Sequence, residues 1–193
     1  LMDTNKLLGK LSMELTNGSV PYFSLYQDSS YIKNIVAGGI YGSDIVVSKI
    51  EKLTPKLVVA NMSIEKENPT TKQGSYYTYN LPYASNGIDS WHMTLLAGRI
   101  VPLEIPKIIH ERYEYAIVIP DGSKLVTPST FSIVKNEVGS VTIKFEQVEN
   151  KIVILKEIKL NKKIILPTEY PNLKKIMDIW NSSNYRKVIF KVK

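Results

Sequence analysis

Between residues 141 and 160 the sequence alternates twice, with a short polar break between the runs. Val141, Ile143 and Phe145 are interleaved with Thr142, Lys144 and Glu146; Glu149-Asn150 interrupts; then KIVILKEIKL runs from Lys151 to Leu160. A period of two matches a pleated strand with one buried face and cannot line one side of a 3.6-residue helix. Two such runs separated by a turn dipeptide predict an antiparallel hairpin. A chain with this hairpin must supply further strands, because an isolated two-stranded ribbon is marginal in water.

Other segments supply them. Leu7–Leu15, Asp44–Lys52, Lys56–Ile64, Gly74–Leu81 and Arg112–Ile119 are β-branched, aromatic or alternating, and Val188, Phe190 and Val192 predict a closing strand. In RYEYAIVI, Tyr113, Tyr115, Ile117 and Ile119 fall on one face, and Pro120-Asp121-Gly122 turns the chain. Two segments read as helical. Tyr22, Leu25, Tyr26, Ile32, Ile35 and Val36 recur near helical spacing between Pro21 and the Gly38-Gly39 stop. Leu173, Ile176, Met177 and Trp180 do so after Thr168, the expected N-cap.

The expected fold is therefore mainly β with a minor helical part. It is an antiparallel β-sandwich of about nine strands and two short helices, with one shared core or two packed lobes both open. Residues 82–107 are punctuated by Pro82, Asn86, Gly87, Gly98, Pro102 and Pro106 and read as a long crossover with one short strand. The boundary is expected there. A β-rich lobe with one helix would occupy 1–105, and a C-terminal sandwich lobe with one amphipathic helix 106–193.

At 193 residues and 44% hydrophobic content, the chain is long enough to bury a core without staples. It has no cysteine, which excludes disulfides, thiol nucleophiles and Cys-ligated metals. His92 and His110 are eighteen positions apart, and neither HExxH nor a glycine-rich phosphate loop occurs. No cofactor or metal site is expected. No apolar run is long enough to span a bilayer as a helix. Leu1-Met2-Asp3-Thr4 does not read as a secretory leader, and Leu at position 1 suggests a piece of a longer chain.

Charge is unevenly placed. Residues 1–150 hold 14 Lys and Arg against 15 Asp and Glu; residues 151–193 hold 11 against 3. A nucleic acid or another polyanion is one partner class for such a tail. Ten of the eleven are lysine, however, and no aromatic residues interleave with them in the manner of a strand-stacking groove. Solvated lysines that blunt strand edges are the preferred reading.

Three constellations merit attention. Asp89, Ser90 and His92 in DSWHM contain nucleophile and base types, but neighbours one and two apart on a strand diverge, and no GxSxG elbow frames the serine. Tyr76, Tyr77, Tyr79, Tyr83 and Trp91 form the densest aromatic group, able to stack on sugar rings or a peptide if exposed. Arg99 in AGRIVPLEIP suits a loop anchor that bonds carbonyls, or a ligand clamp. Tyr76, Tyr77, Tyr79, Tyr83, Trp91 and Arg99 are the candidate ligand-binding residues, and no catalytic set is expected.

In order, the segments SWHMTLLAGRIVPLEIP, YEYAIVIPDG, VTPST, NEVGSVTIKFE, NKIVILKEIKL, ILPTEYPNLKKIMDIWN and VIFK resemble the C-terminal β-rich domain of unknown function that follows the core of bacterial transglutaminase-like proteins. The resemblance covers about residues 90–193, with 1–89 closer to the segment joining core to tail. The family's core carries a Cys–His–Asp triad, which a cysteine-free chain cannot supply, so no catalytic residue carries over. The resemblance implies a noncatalytic accessory domain, the transglutaminase-like core of the parent chain as partner, and an extracytoplasmic location. A carbohydrate- or peptide-binding module using the aromatics is the alternative.

Overall fold

The structure is a computed structural model that describes residues 6–16, 24–37, 44–54, 56–84, 87–88, 98–105 and 108–192. It is mainly β, and the strand pairings described are antiparallel. The chain divides into two compact units. One comprises residues 1–71 and 80–86, the other 72–79 and 87–193.

In the first unit, β1 (Lys6–Thr16) and β3 (Ile45–Thr54) flank β4 (Leu57–Glu67). β4 buries Val58, Ala60, Met62 and Ile64, the period-two set that its sequence predicts. Leu25, Ile32 and Ile45 complete this core, with Leu11, Met13, Ile50 and Leu53 packed around it. Thr54 Oγ1 accepts from the Leu57 N–H at 3.0 Å and donates to the Leu57 carbonyl at 3.1 Å, fastening the β3–β4 turn.

The helix expected over residues 22–36 is divided. α1 (Ser24–Gln27) and α2 (Ile32–Ile35) are single turns separated by a 3-10 turn at Ser29–Tyr31. Asp28 causes the break: its carboxylate accepts the Ser30 N–H at 2.8 Å, and its carbonyl accepts the Tyr31 N–H. A side chain that bonds the backbone two residues on competes with the helical ladder. Val36-Ala37 then forms β2, paired with β7 (Tyr83–Ala84). Pro21 and Gly38-Gly39 lie outside the described residues.

The second unit contains two four-stranded sheets. In one, β9 (Ile109–Val118), β13 (Lys151–Leu160), β12 (Gly139–Val148) and β11 (Thr130–Lys135) lie side by side. The expected hairpin is its centre, with Val148 opposite Lys151 across the Glu149-Asn150 turn. In the other, the order is β5 (Thr70–Gln73), β6 (Tyr76–Asn80), β15 (Lys187–Lys191), β10 (Lys124–Leu125). A strand from residues 76–80 thus lies beside one from residues 187–191. β8 (Leu103–Glu104) pairs with β14 (Ile164–Ile165), while residues 89–97 of the crossover, where its short strand is expected to start at Asp89 and Ser90, lie outside the described residues. The strands outnumber the expected nine because several are two-residue pairings, too short to leave a periodic trace.

α3 (Tyr170–Trp180) buries Tyr170, Leu173, Ile176, Met177 and Trp180 and packs against β11 and β12. Each such burial contributes about 1.5–3 kcal/mol before entropy is counted. Its N-cap is Glu169, not Thr168, and Glu169 makes no side-chain capping bond. Its carboxylate turns back to the preceding loop, where Lys162 and the Leu166 N–H donate to it. Pro171 opens the helix, where a missing N–H costs little.

Candidate functional site

The aromatic strand predicted as a ligand face is β6, and its rings point to different surroundings. Tyr76 is 44% exposed, with Lys191 Nζ 5.7 Å from its ring centre. Tyr77 is half-buried and stacks on Phe190 at 5.5 Å with an interplanar angle of 12°, and Lys72 Nζ lies 5.5 Å from the same ring. Tyr79 is buried. Tyr83 belongs to the first unit, in β7 opposite Ala37. Trp91 lies outside the described residues, as do Asp89, Ser90 and His92. Arg99 sits apart from β6: its guanidinium carbon is 5.8 Å from the Tyr170 ring, and Nε donates to the Val101 carbonyl at 3.4 Å. Tyr76 and Tyr77 therefore share a strand with two lysines over their faces, a cation–aromatic arrangement worth about 0.5–1 kcal/mol at an exposed site.

A second feature is a shallow groove where two turns meet. Asp121, Gly122, Ser123, Lys124 and Leu125 line one side and Gln147, Glu149 and Asn150 the other. Gln147 clasps them. Its Nε2 donates to the Ser123 carbonyl at 3.0 Å and the Glu149 carbonyl at 2.8 Å, while Oε1 accepts the Leu125 N–H at 2.7 Å. Gly122 adopts φ +76° and Glu149 φ +55°, both in the left-handed region. The Ser123 hydroxyl is buried with no hydrogen-bond partner among the described residues.

The third is a charged network on the open face of the β9–β11 sheet. The Glu157 carboxylate lies 2.8 Å from His110 Nε2, 3.0 Å from Lys159 Nζ and 3.8 Å from an Arg112 nitrogen. Partial burial raises its pKa, but hydrogen bonds from His110 and Lys159 and their charges outweigh that and hold it below the ordinary carboxylate value. His110 is mostly exposed, so this His–carboxylate pair faces solvent across a sheet surface and not into a cleft.

The opposite face of that sheet holds a residue the charge reading misplaced. Lys156 is buried, with Nζ 4.5 Å from the centre of Trp180, which in turn is 6.1 Å from Tyr113. It is one of the eleven basic residues read as solvated. Its alternation with Ile154 and Ile158 is the signal that it faces inward. Glu111, on the same face of β9, accepts the Ile88 N–H and the Tyr113 hydroxyl, pinning the crossover segment to the sheet. Among the described residues, no cluster of three or more His, Asp or Glu side chains is arranged to hold a metal, and no helix is long and apolar enough to cross a membrane.

No curated protein matches the sequence. A crystal structure from Parabacteroides distasonis ATCC 8503, named "a putative protease", is similar over 67% of this chain with 27% sequence identity and a TM-score of 0.56. The chain spans 29% of that protein's length. The model of a domain of unknown function with a solved structure, DUF3858, matches residues 59–190, more of the chain than the resemblance from residue 90 onward. With over half its length inside that match, the chain belongs to the DUF3858 family.

Proposed function

We propose that this chain is a noncatalytic accessory domain of a larger, transglutaminase-like protein, packing on or assisting that protein's catalytic core. One observation carries the reading: the chain is similar to less than a third of a longer protein named "a putative protease", and residues 59–190 match a domain family of their own. The histidine–carboxylate pair at His110 and Glu157 is occupied by Lys159 and Arg112 as well, which fits a structural charge network better than a general base. Export to the cell envelope is part of the same proposal, and fractionation of the native host checks it.

The test is calorimetry of this chain against the separately produced remainder of its parent protein, at two salt concentrations. Saturable binding with a large negative heat-capacity change supports apolar docking. Absence of binding, with no effect on the remainder's activity, overturns it.

The glycan- or peptide-module reading draws on one observation, the exposed Tyr76 ring beside Lys191. A Tyr76→Ala variant that retains binding to a ligand captured by the native chain removes that reading.

A further inference from the structure

The two outer strands of the β9–β11 sheet treat water differently. The Ile119 N–H donates to the Asn150 carbonyl at 2.8 Å, and the Asn136 N–H donates to the Gly139 carbonyl at 2.9 Å. These bonds set the phase of each outer ladder, because hydrogen-bonded and non-hydrogen-bonded pairs alternate. Along β9, residues 110, 112, 114, 116 and 118 turn their N–H and C=O away from β13. Along β11, residues 131, 133 and 135 turn theirs away from β12.

On β9 those outward positions begin with His110, Arg112 and Glu114, charges of the kind that keep an edge from pairing with another strand. On β11 they are Phe131 and Ile133, 68% and 54% exposed, followed by Lys135. β11 has no proline within it, no bulge in its register with β12, and no charge before its last residue. Lys135 makes no ion pair among the described residues.

We propose that the β11 edge accepts an extended peptide segment as a fifth strand, with apolar side chains against Phe131 and Ile133 and an acidic one near Lys135. N–H and C=O groups spaced two residues apart, with no partner strand among the described residues, call for an extended backbone; a glycan or a helix cannot satisfy them in series. Lys135 and the chain's formal net charge of +7 favour an acidic segment over a second copy of this chain. This inference rests on ladder geometry and holds whether or not the accessory reading does.

The experiment is amide exchange by NMR on the whole chain, with a capped heptapeptide of alternating valine and threonine ending in glutamate as probe. In the dilute free chain, amides of Phe131, Ile133 and Lys135 are expected to exchange freely while those of Ser132 and Val134 are protected. Millimolar peptide should slow the first set at least tenfold. Ile133→Pro removes a donor that faces away from β12, so it should weaken the peptide at least tenfold and leave the ladder in place. The same peptide N-methylated at alternate residues leaves the protein untouched and should give no protection. Prior protection of Phe131 and Ile133 in the dilute chain overturns the proposal. So does an unchanged rate with peptide, or protection that rises with protein concentration alone.

Discussion

Lys156 lies beneath Trp180, its ammonium 4.5 Å from the ring centre, at a position where the strand's other inward residues are isoleucine and leucine. A buried cation held against an aromatic face gains about 2 kcal/mol of attraction but loses hydration worth several kcal/mol, so the ring offsets part of the cost. Trp180→Ala is expected to cost about 3–5 kcal/mol, as removal of a large buried ring does. Lys156→Ala opens a void and should cost about 2 kcal/mol or more. Urea unfolding of the two variants checks the order.

At Gly139 a Cβ would meet the Lys159 carbonyl oxygen at 2.0 Å and its carbon at 3.0 Å. These are backbone atoms of the neighbouring strand and cannot rotate away. Gly139→Ala should destabilise by about 3 kcal/mol or prevent folding. A melting temperature within a degree or two of the parent would contradict the β12–β13 register.

Glu149 turns the central hairpin with φ +55°, a conformation that costs a side-chain-bearing residue about 1 kcal/mol or more. Glycine adopts it freely but loses more entropy on folding. The balance predicts that Glu149→Gly gains up to about 1 kcal/mol, read as a higher urea midpoint with an unchanged slope.

Glu157 and Glu169 both titrate below the ordinary carboxylate value. For Glu157, burial is outweighed by His110 and Lys159; for Glu169, the bond from Lys162 leads, with the Leu166 N–H adding to it. A carboxyl with a lowered folded pKa stabilises the fold above its unfolded value, about 4.3, and loses that contribution as pH falls through the folded value. Stability should therefore decline from pH 5 toward pH 3. In a Glu157→Gln, Glu169→Gln double variant the decline should be shallower. An equal decline in the double variant would place the acid sensitivity elsewhere.

The long alternating strands were legible because each has one wet and one dry face. β4, β12 and β13 fall where their periodicity puts them, and Leu173, Ile176, Met177 and Trp180 share the buried side of α3. What was hidden depends on single side chains bonding the backbone. Asp28 divides a helix whose apolar spacing looked continuous, and Glu169 displaces Thr168 at the start of α3. Gln147 behaves as a piece of main chain, bonding two carbonyls and an N–H across two turns; nothing in its neighbours marks it. Composition likewise could not tell Tyr76 from Tyr79. They share a strand and a residue type, and only the cover over each face separates the exposed ring from the buried one. The polarity of β11's edge needed the phase of a hydrogen bond at Asn136, which no residue pattern encodes.

β6 lies between β5 and β15 in its sheet, and the stack of Tyr77 on Phe190 joins it to β15. During synthesis the first of these strands leaves the ribosome more than a hundred residues ahead of the second. At typical elongation speeds that is an interval of roughly 5–20 s. Through that time the Tyr77 ring has no Phe190 to cover it, and that edge of the strand must wait, chaperoned or paired elsewhere, for residues 187–191 to arrive. A nascent chain that stops between the two strands keeps β6 with β5 on one side and an open edge on the other, where β15 would lie.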